Sequence, residues 1–369
     1  MEQIDFETLS GQAHVTVGQT LQIWNTAATL DNSLEIKPRL AAALVQKKVE
    51  PILYSRSKLF DRMLMCEPSL FKNYPVQRFN DHSNSTSVSN LLEEIRSGFP
   101  ESKRARVRVR GALEHLSIPR VVEKWDRARS VFGVTDLHYI GLRFDARVDT
   151  KALNDFNVLP RGAYGYQSQD SLVISSAGAV TDSHSDDHSG SNHCFTGAKL
   201  WLLWDTFEGF EHGLEDETHC RVSGRAAFDV AAFAAMKTSR WILIGPGQTM
   251  FIPANLTHKV ITLKKYLGLG SFHAGLPGFV DLLLHWHRLP PLWATPRDHR
   301  CSVEFITGRA IRKVRSLRNA GRGDQFRWGM PYLKARLARP DLKERRRRAR
   351  IFSGNPNLQA FVTAAEHSG

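Results

Sequence analysis

Apolar runs of four to seven residues, separated by turn residues, fill the middle of the chain. The clearest series lies between Trp241 and Phe272: WILI, a turn at GPGQ, TMFIP, a turn at ANLT, HKVITL, a turn at KK and YLGLGSF. Short strands joined by Gly, Pro and Asn turns predict an antiparallel sandwich or barrel, not βαβ units. Val107–Arg110 (VRVR), Leu137–Phe144, Ser171–Ser175 and Lys199–Trp204 read as further strands. Before about residue 105 the pattern is mostly helical. Pro38 suits the first turn of a helix through Arg39–Val45 that Pro51 ends, because proline is tolerated at a helix start and breaks an interior. Asp81–Asn90 reads as a loop, with Asn90 as the N-cap and Gly98 as the stop of a following helix. After Pro290-Pro291 the pattern returns to helix, amphipathic over Val303–Leu317. The expected fold class is a mainly β core with α flanks. Its expected boundaries are a helical region over 1–104, the core over 105–288 and a helical extension over 289–369.

At roughly 100–200 residues per domain, the 369 residues allow two or three units. The apolar and charged fractions, 42% and 24%, are those of a globular chain. No apolar run approaches the ~18–20 residues that span a bilayer, so no membrane partner is expected. The start, MEQIDFETLS, lacks a basic segment followed by an apolar one, so no secretory signal is expected. Cys66, Cys194, Cys220 and Cys301 lie far apart with no CxxC pair, which argues against a zinc ribbon and against a disulfide framework. A reducing interior, cytosol or nucleus, follows.

Charge changes the picture more than composition does. The net charge is +13, and Arg309–Arg350 holds 16 Lys/Arg against three acids, so a basic appendage joins an electrically balanced body. Lys343–Arg350 (KERRRRAR) resembles a nuclear-localisation or nucleic-acid patch. Without interleaved aromatics, any nucleic-acid contact would be to phosphates and salt-sensitive. Attraction to chromatin or RNA is the favoured reading over a plain solubilising tail.

The candidate chemistry lies in TDSHSD (Thr181–Asp186), GAKLW (Gly197–Trp201) and PANLTH (Pro253–His258). Strand residues i and i+2 share a face, so His184 and Asp186 can offer one imidazole and one carboxylate to one ion. His258, opening another strand, can add the third ligand. Two His and one carboxylate with open positions is the arrangement of non-haem Fe(II) oxygenases. His188 is a competing ligand of the same parity as His184. Lys199 is a lone cation at the start of an apolar strand, and burying it unpaired is expensive, so an inward Lys199 wants an anion. Thr181 could add a hydroxyl to the same anion, but only if a bulge corrects its odd separation from His184. Trp201, Trp204 and Trp241 fit core packing.

These stretches resemble the JmjC family of Fe(II)/2-oxoglutarate oxygenases, and within it the histone-lysine demethylase branch with F-box and PHD-finger members. The order Thr-x-x-His-x-Asp, Gly-x-Lys and distal His is reproduced at Thr181, His184, Asp186, Lys199 and His258. The flanking Gly-x-Thr-x-x-Ile-Pro and His-x-Val phrases fall at Gly247, Thr249, Ile252, Pro253, His258 and Val260. The resemblance covers residues 105–288. It implies a double-stranded β-helix, a cupin-like jelly-roll, with Fe(II) on His184, Asp186 and His258, and 2-oxoglutarate anchored by Lys199 and Thr181. The implied activity is removal of N-methyl groups from lysine in a histone tail, in the nucleus, or in the cytoplasm if the basic tail is no targeting signal. Three positions depart from the family: Asn192 replaces an aromatic residue, Ser271 an asparagine on the last core strand, and His138 an asparagine on an early strand. The departures leave a protein side-chain or RNA hydroxylase as the alternative. A non-catalytic chromatin- or RNA-binding protein is the alternative of another class.

Overall fold

The computed structural model describes residues 4–78, 88–99, 101–109, 112–127, 130–135, 137–138, 146–148, 157–158, 170–186, 188–214, 228–254, 256–275, 278–280, 283, 307–316, 319–320 and 356–366. Two long strands form its spine, β11 (Ser189–Asp205) and β14 (Leu256–His273), paired antiparallel over their whole lengths. The sequence motifs KLWLLW, HKVITL and YLGLGSF are parts of these two strands. Lys264-Lys265, expected to turn, lies within β14 instead. The strand passes the pair by a register irregularity against β11 near Ala198–Lys199, which leaves Lys265 exposed without breaking the ladder.

Shorter strands flank the spine. Along the chain they are β1 (Pro51–Leu53), β2 (Ser69–Lys72), β3 (Val76–Arg78), β4 (Arg104–Val109), β5 (Ala112–Ser117), β6 (Phe132–Thr135) and β7 (Leu137–His138). Then come β8 (Ala146–Val148), β9 (Asp170–Ser175), β10 (Val180–Ser185), β12 (Arg240–Ile244) and β13 (Gln248–Ile252). Among the described residues, 12 strands join one mixed sheet in the order β1-β2-β13-β11-β14-β9-β6-β4-β5. In it β10 also pairs with β14, β12 with β11 and β7 with β9. Only β1–β2 is parallel among these pairings. The result is a mainly β core with helical flanks, consistent with a jelly-roll. β1 and β2, from the first hundred residues, belong to this sheet, with β2 zipped to β13.

Both faces of the spine are buried, which is why its sequence reads as a nearly unbroken apolar run. On one face Ala198, Leu200, Leu202 and Trp204 of β11 meet Leu243 of β12, Ile261 of β14 and the N-terminal helices. Those helices start where the sequence provides caps. Asp5 caps α1 (Phe6–Gly11), Thr16 and Gln19 form a capping box on α2 (Val17–Ala28), and Pro38 opens α3 (Pro38–Val45). Trp24 of α2 meets Trp241 edge-on at 6.3 Å, and the Trp241 indole donates to the Leu44 carbonyl at 2.7 Å. A second core gathers α4 (Arg56–Met65), α5 (Val88–Gly98) and α6 (Ile118–Arg127) against β4, β6 and β9. The α5 helix begins at Val88, so Asn90 lies in its first turn and is not its cap.

The other face of the spine carries Cys194, Trp201, Leu203, Val260 and Tyr266 and packs on Leu70, Ile242, Ile244, Met250 and Ile252. This is the face that holds the candidate chemistry. Beyond the sheet, 307–316 is helical, with Ala310 and Val314 buried and Arg312 and Arg315 exposed. Lys343–Arg350 lies outside the described residues, as do Cys220, Cys301, His219, His285 and His287.

Candidate metal centre

The centre is built where β10 and β14 run side by side. Their register pairs Thr181 with Val260 and His184 with His258, three residues on β10 against two on β14. Asp182 and Ser183 therefore share one place opposite Lys259, which is a β-bulge. The bulge gives Thr181 and His184 the common face that a regular strand would deny them. The His184 and His258 rings lie 4.2 Å apart. Asp186 follows the end of β10, and one carboxylate oxygen stands 3.8 Å from His258 Nε2. One ligand atom from each of His184, Asp186 and His258 lies within 4.8 Å of the others.

Local backbone fixes which nitrogen each imidazole presents. His184 Nδ1 contacts the Asp182 carbonyl at 2.8 Å, and His258 Nδ1 contacts the Leu256 carbonyl at 3.2 Å. A carbonyl only accepts, so both Nδ1 atoms carry the proton and both Nε2 atoms keep a free lone pair. Burial pushes His258 down to about 4, with the His184 ring acting in the same direction, so it is neutral at pH 7. Around Asp186, desolvation pushes the carboxyl up, but His188, His184 and His258 together outweigh it and hold it below its usual range. Two imidazoles presenting Nε2 and one carboxylate form a donor set that a divalent cation fits. Bonds of about 2.0–2.2 Å to one ion place such donors roughly 3–3.5 Å apart, so the three, which lie within 4.8 Å of one another, must draw together when an ion binds.

Lys199 occupies the same interior. It opposes Thr262 of β14 and Ile244 of β12, four residues along β11 from Leu203, the partner of His258. That is about 13 Å of strand. Its side chain is buried, with Nζ 4.5 Å above the Tyr266 ring. Among the described residues no carboxylate balances it, and burial alone pushes its ammonium down to about 8. Trp201 lies between Lys199 and the centre, its ring 5.3 Å from His258 and its indole N–H buried without a partner. The Tyr266 hydroxyl donates to Asn192 Oδ1 at 2.6 Å, so Asn192 also points into this interior. Thr181 is exposed, in the row of Val260 and Trp201.

His188 is buried, bonded through Nδ1 to the Ser189 carbonyl and packed on Phe272 at 3.9 Å; it is not among the three grouped ligands. His193 bonds Thr249 at 2.7 Å, and His273 stacks on Phe251. Ser271 opposes Ser191, one step out of phase with Asn192, and His138 opposes Ser171. Trp204 and Trp241 are core residues, whereas Trp201 borders the site. Cys194 is a buried thiol pushed up to about 12 by burial.

Two features were not expected from sequence. One is the pair of carbonyls that orient the imidazoles. The other is Lys259, whose Nζ lies 2.8 Å from Asp31 and 3.9 Å from Asp182. The rule that singled out Lys199, a lone cation in an apolar strand, applies equally to Lys259 in HKVITL.

Neither a protein-family model nor a curated protein matches the chain.

Proposed function

We propose that the chain is an Fe(II)- and 2-oxoglutarate-dependent dioxygenase of the JmjC type, its sheet a double-stranded β-helix around this centre. The observation that carries the reading is the convergence of His184, Asp186 and His258 on one face that also buries an unbalanced Lys199. When bound, iron(II) and 2-oxoglutarate supply the oxidation, in which decarboxylation to succinate and CO2 is coupled to insertion of one O2 oxygen into a substrate C–H bond. The residues supply geometry. The two imidazoles and Asp186 hold the metal on one side and leave the opposite positions open. Lys199, charged at neutral pH and without a carboxylate partner among the described residues, receives the distal carboxylate of 2-oxoglutarate, and the Trp201 N–H lines the path between. Trp201, Leu203 and Val260 keep water from the reacting atoms.

The proposed substrate is a protein, foremost an N-methyl group of a histone lysine, whose hydroxylated product releases formaldehyde. The basic segment 309–350 is proposed to attract nucleic acid and to favour a nuclear location. Succinate formation from 2-oxoglutarate by the full chain with Fe(II) and ascorbate, beside Asp186→Ala, tests the reading. Turnover lost in the variant is expected. Absence of turnover together with absence of metal and 2-oxoglutarate binding overturns it in favour of a binding protein. Mass spectrometry of a treated substrate then separates loss of a methyl group from gain of an oxygen.

A further inference from the structure

The residue directly behind the metal ligands is a lysine. Lys259 follows His258 on β14, so it points to the opposite face, where Leu202 is its partner and the N-terminal helices pack. It is buried, and its ammonium lies 2.8 Å from Asp31, the residue that caps the short 3-10 helix Asn32–Leu34. A second carboxylate, on Asp182, lies 3.9 Å away. Asp182 is one of the two bulge residues that face Lys259, and its carbonyl is the one that accepts the His184 Nδ1 proton.

We propose that Lys259 is a positioning residue for the metal centre: tied to Asp31 and Asp182, it holds the β10 bulge that aims His184 at His258 and Asp186. This rests on the metal reading above. Without the extra residue at Asp182–Ser183, β10 would pair one step out of register, and a one-residue slip turns a side chain to the other face. The bulge thus decides whether His184 reaches the metal. It is held from behind by one cation whose two anions come from different layers, the N-terminal helices and β10. The Asp182 carbonyl also fixes the His184 tautomer, so the same contact governs both the direction and the donor atom of that ligand. Partners of this kind, one step removed from the metal, typically change metal affinity about 10–100-fold when lost.

The test uses the full chain and Co(II), whose visible absorption reports coordination. Wild type binds Co(II), and Asp186→Ala does not. Lys259→Met is expected to weaken Co(II) binding by about 10–100-fold and to alter its spectrum, with Lys259→Arg recovering most of both. Asp182→Asn, at a half-exposed side chain, is expected to act in the same direction and decides the matter should Lys259→Met fail to fold. In the metal-free protein, imidazole 15N shifts give the His184 proton to Nδ1 in wild type and divide it between the nitrogens in the variants. Folded Lys259→Met and Asp182→Asn with Co(II) affinity within about twofold of wild type and an unchanged tautomer would overturn the proposal alone, leaving the metal site in place. Wild type that fails to bind Co(II) overturns the metal reading, and the role of Lys259 with it.

Discussion

A lysine with 5% of its surface exposed and no carboxylate beside it among the described residues works against folding. Burial pushes the Lys199 ammonium from an ordinary 10.5 down to about 8, a penalty on the order of 3 kcal/mol while the group is charged, part of it offset by the Tyr266 ring. Lys199→Met is therefore expected to raise the melting temperature at pH 7 by several degrees and to abolish 2-oxoglutarate binding, measured by calorimetry. The sign with pH follows. Between about 8 and 10.5 the unfolded chain holds the proton and the folded chain has released it, so stability rises with pH across that window. The gap between Lys199→Met and wild type is full below about pH 8 and closes towards 10.5; a gap that stays constant would mean that Lys199 is solvated. His184, Asp186, His258 and Lys199 were legible in the sequence because their chemistry is unusual for strands. The carbonyls of Asp182 and Leu256, which choose the donor nitrogens, carry no residue identity and were not legible.

Strand alternation alone would have misplaced Lys199. Asn192 and Cys194 point into the interior on even positions, while Lys199, Trp201 and Leu203 do so on odd ones, and the phase changes between them. The change occurs at the register shifts around Thr196–Lys199, centred on Gly197 at φ +94. A Cβ there would stand 2.1 Å from the Lys265 carbonyl oxygen, so β11 and β14 approach as closely as only glycine permits. Gly197→Ala is expected to lose more than about 2 kcal/mol in urea unfolding, from the strained φ and the backbone clash together. In whatever fraction remains folded, 2-oxoglutarate binding should weaken more than Co(II) binding, because the displaced segment carries Lys199 and not the metal ligands. Equal loss of both would place the effect in the sheet at large. The strands themselves were legible as apolar runs. Their fusion into two long ones was not, since Lys264-Lys265 has the polarity of a turn and only the neighbouring bulge explains how a ladder passes through it.

For the molecule as a whole, metal occupancy should be visible as stability, because the ligands come from β14 and from the segment through and just beyond β10, which separate on unfolding. Co(II) at about 100 times its dissociation constant is expected to add ~2.7 kcal/mol, read as a rise in melting temperature that Asp186→Ala lacks. Charge is concentrated in one stretch of the sequence. Arg309–Arg350 carries the whole net +13, and its four consecutive arginines, Arg345–Arg348, lie outside the described residues. Each phosphate neutralised on duplex DNA steepens the salt dependence of binding by about 0.9 in log K against log salt. Replacing Arg345, Arg346, Arg347 and Arg348 with Gln is therefore expected to flatten that slope by up to about 3–4. A slope that does not change would show that these arginines touch no phosphate. The basic segment would then keep the chain soluble, and any preference for chromatin would have to come from the face of the sheet around His184, Asp186 and His258.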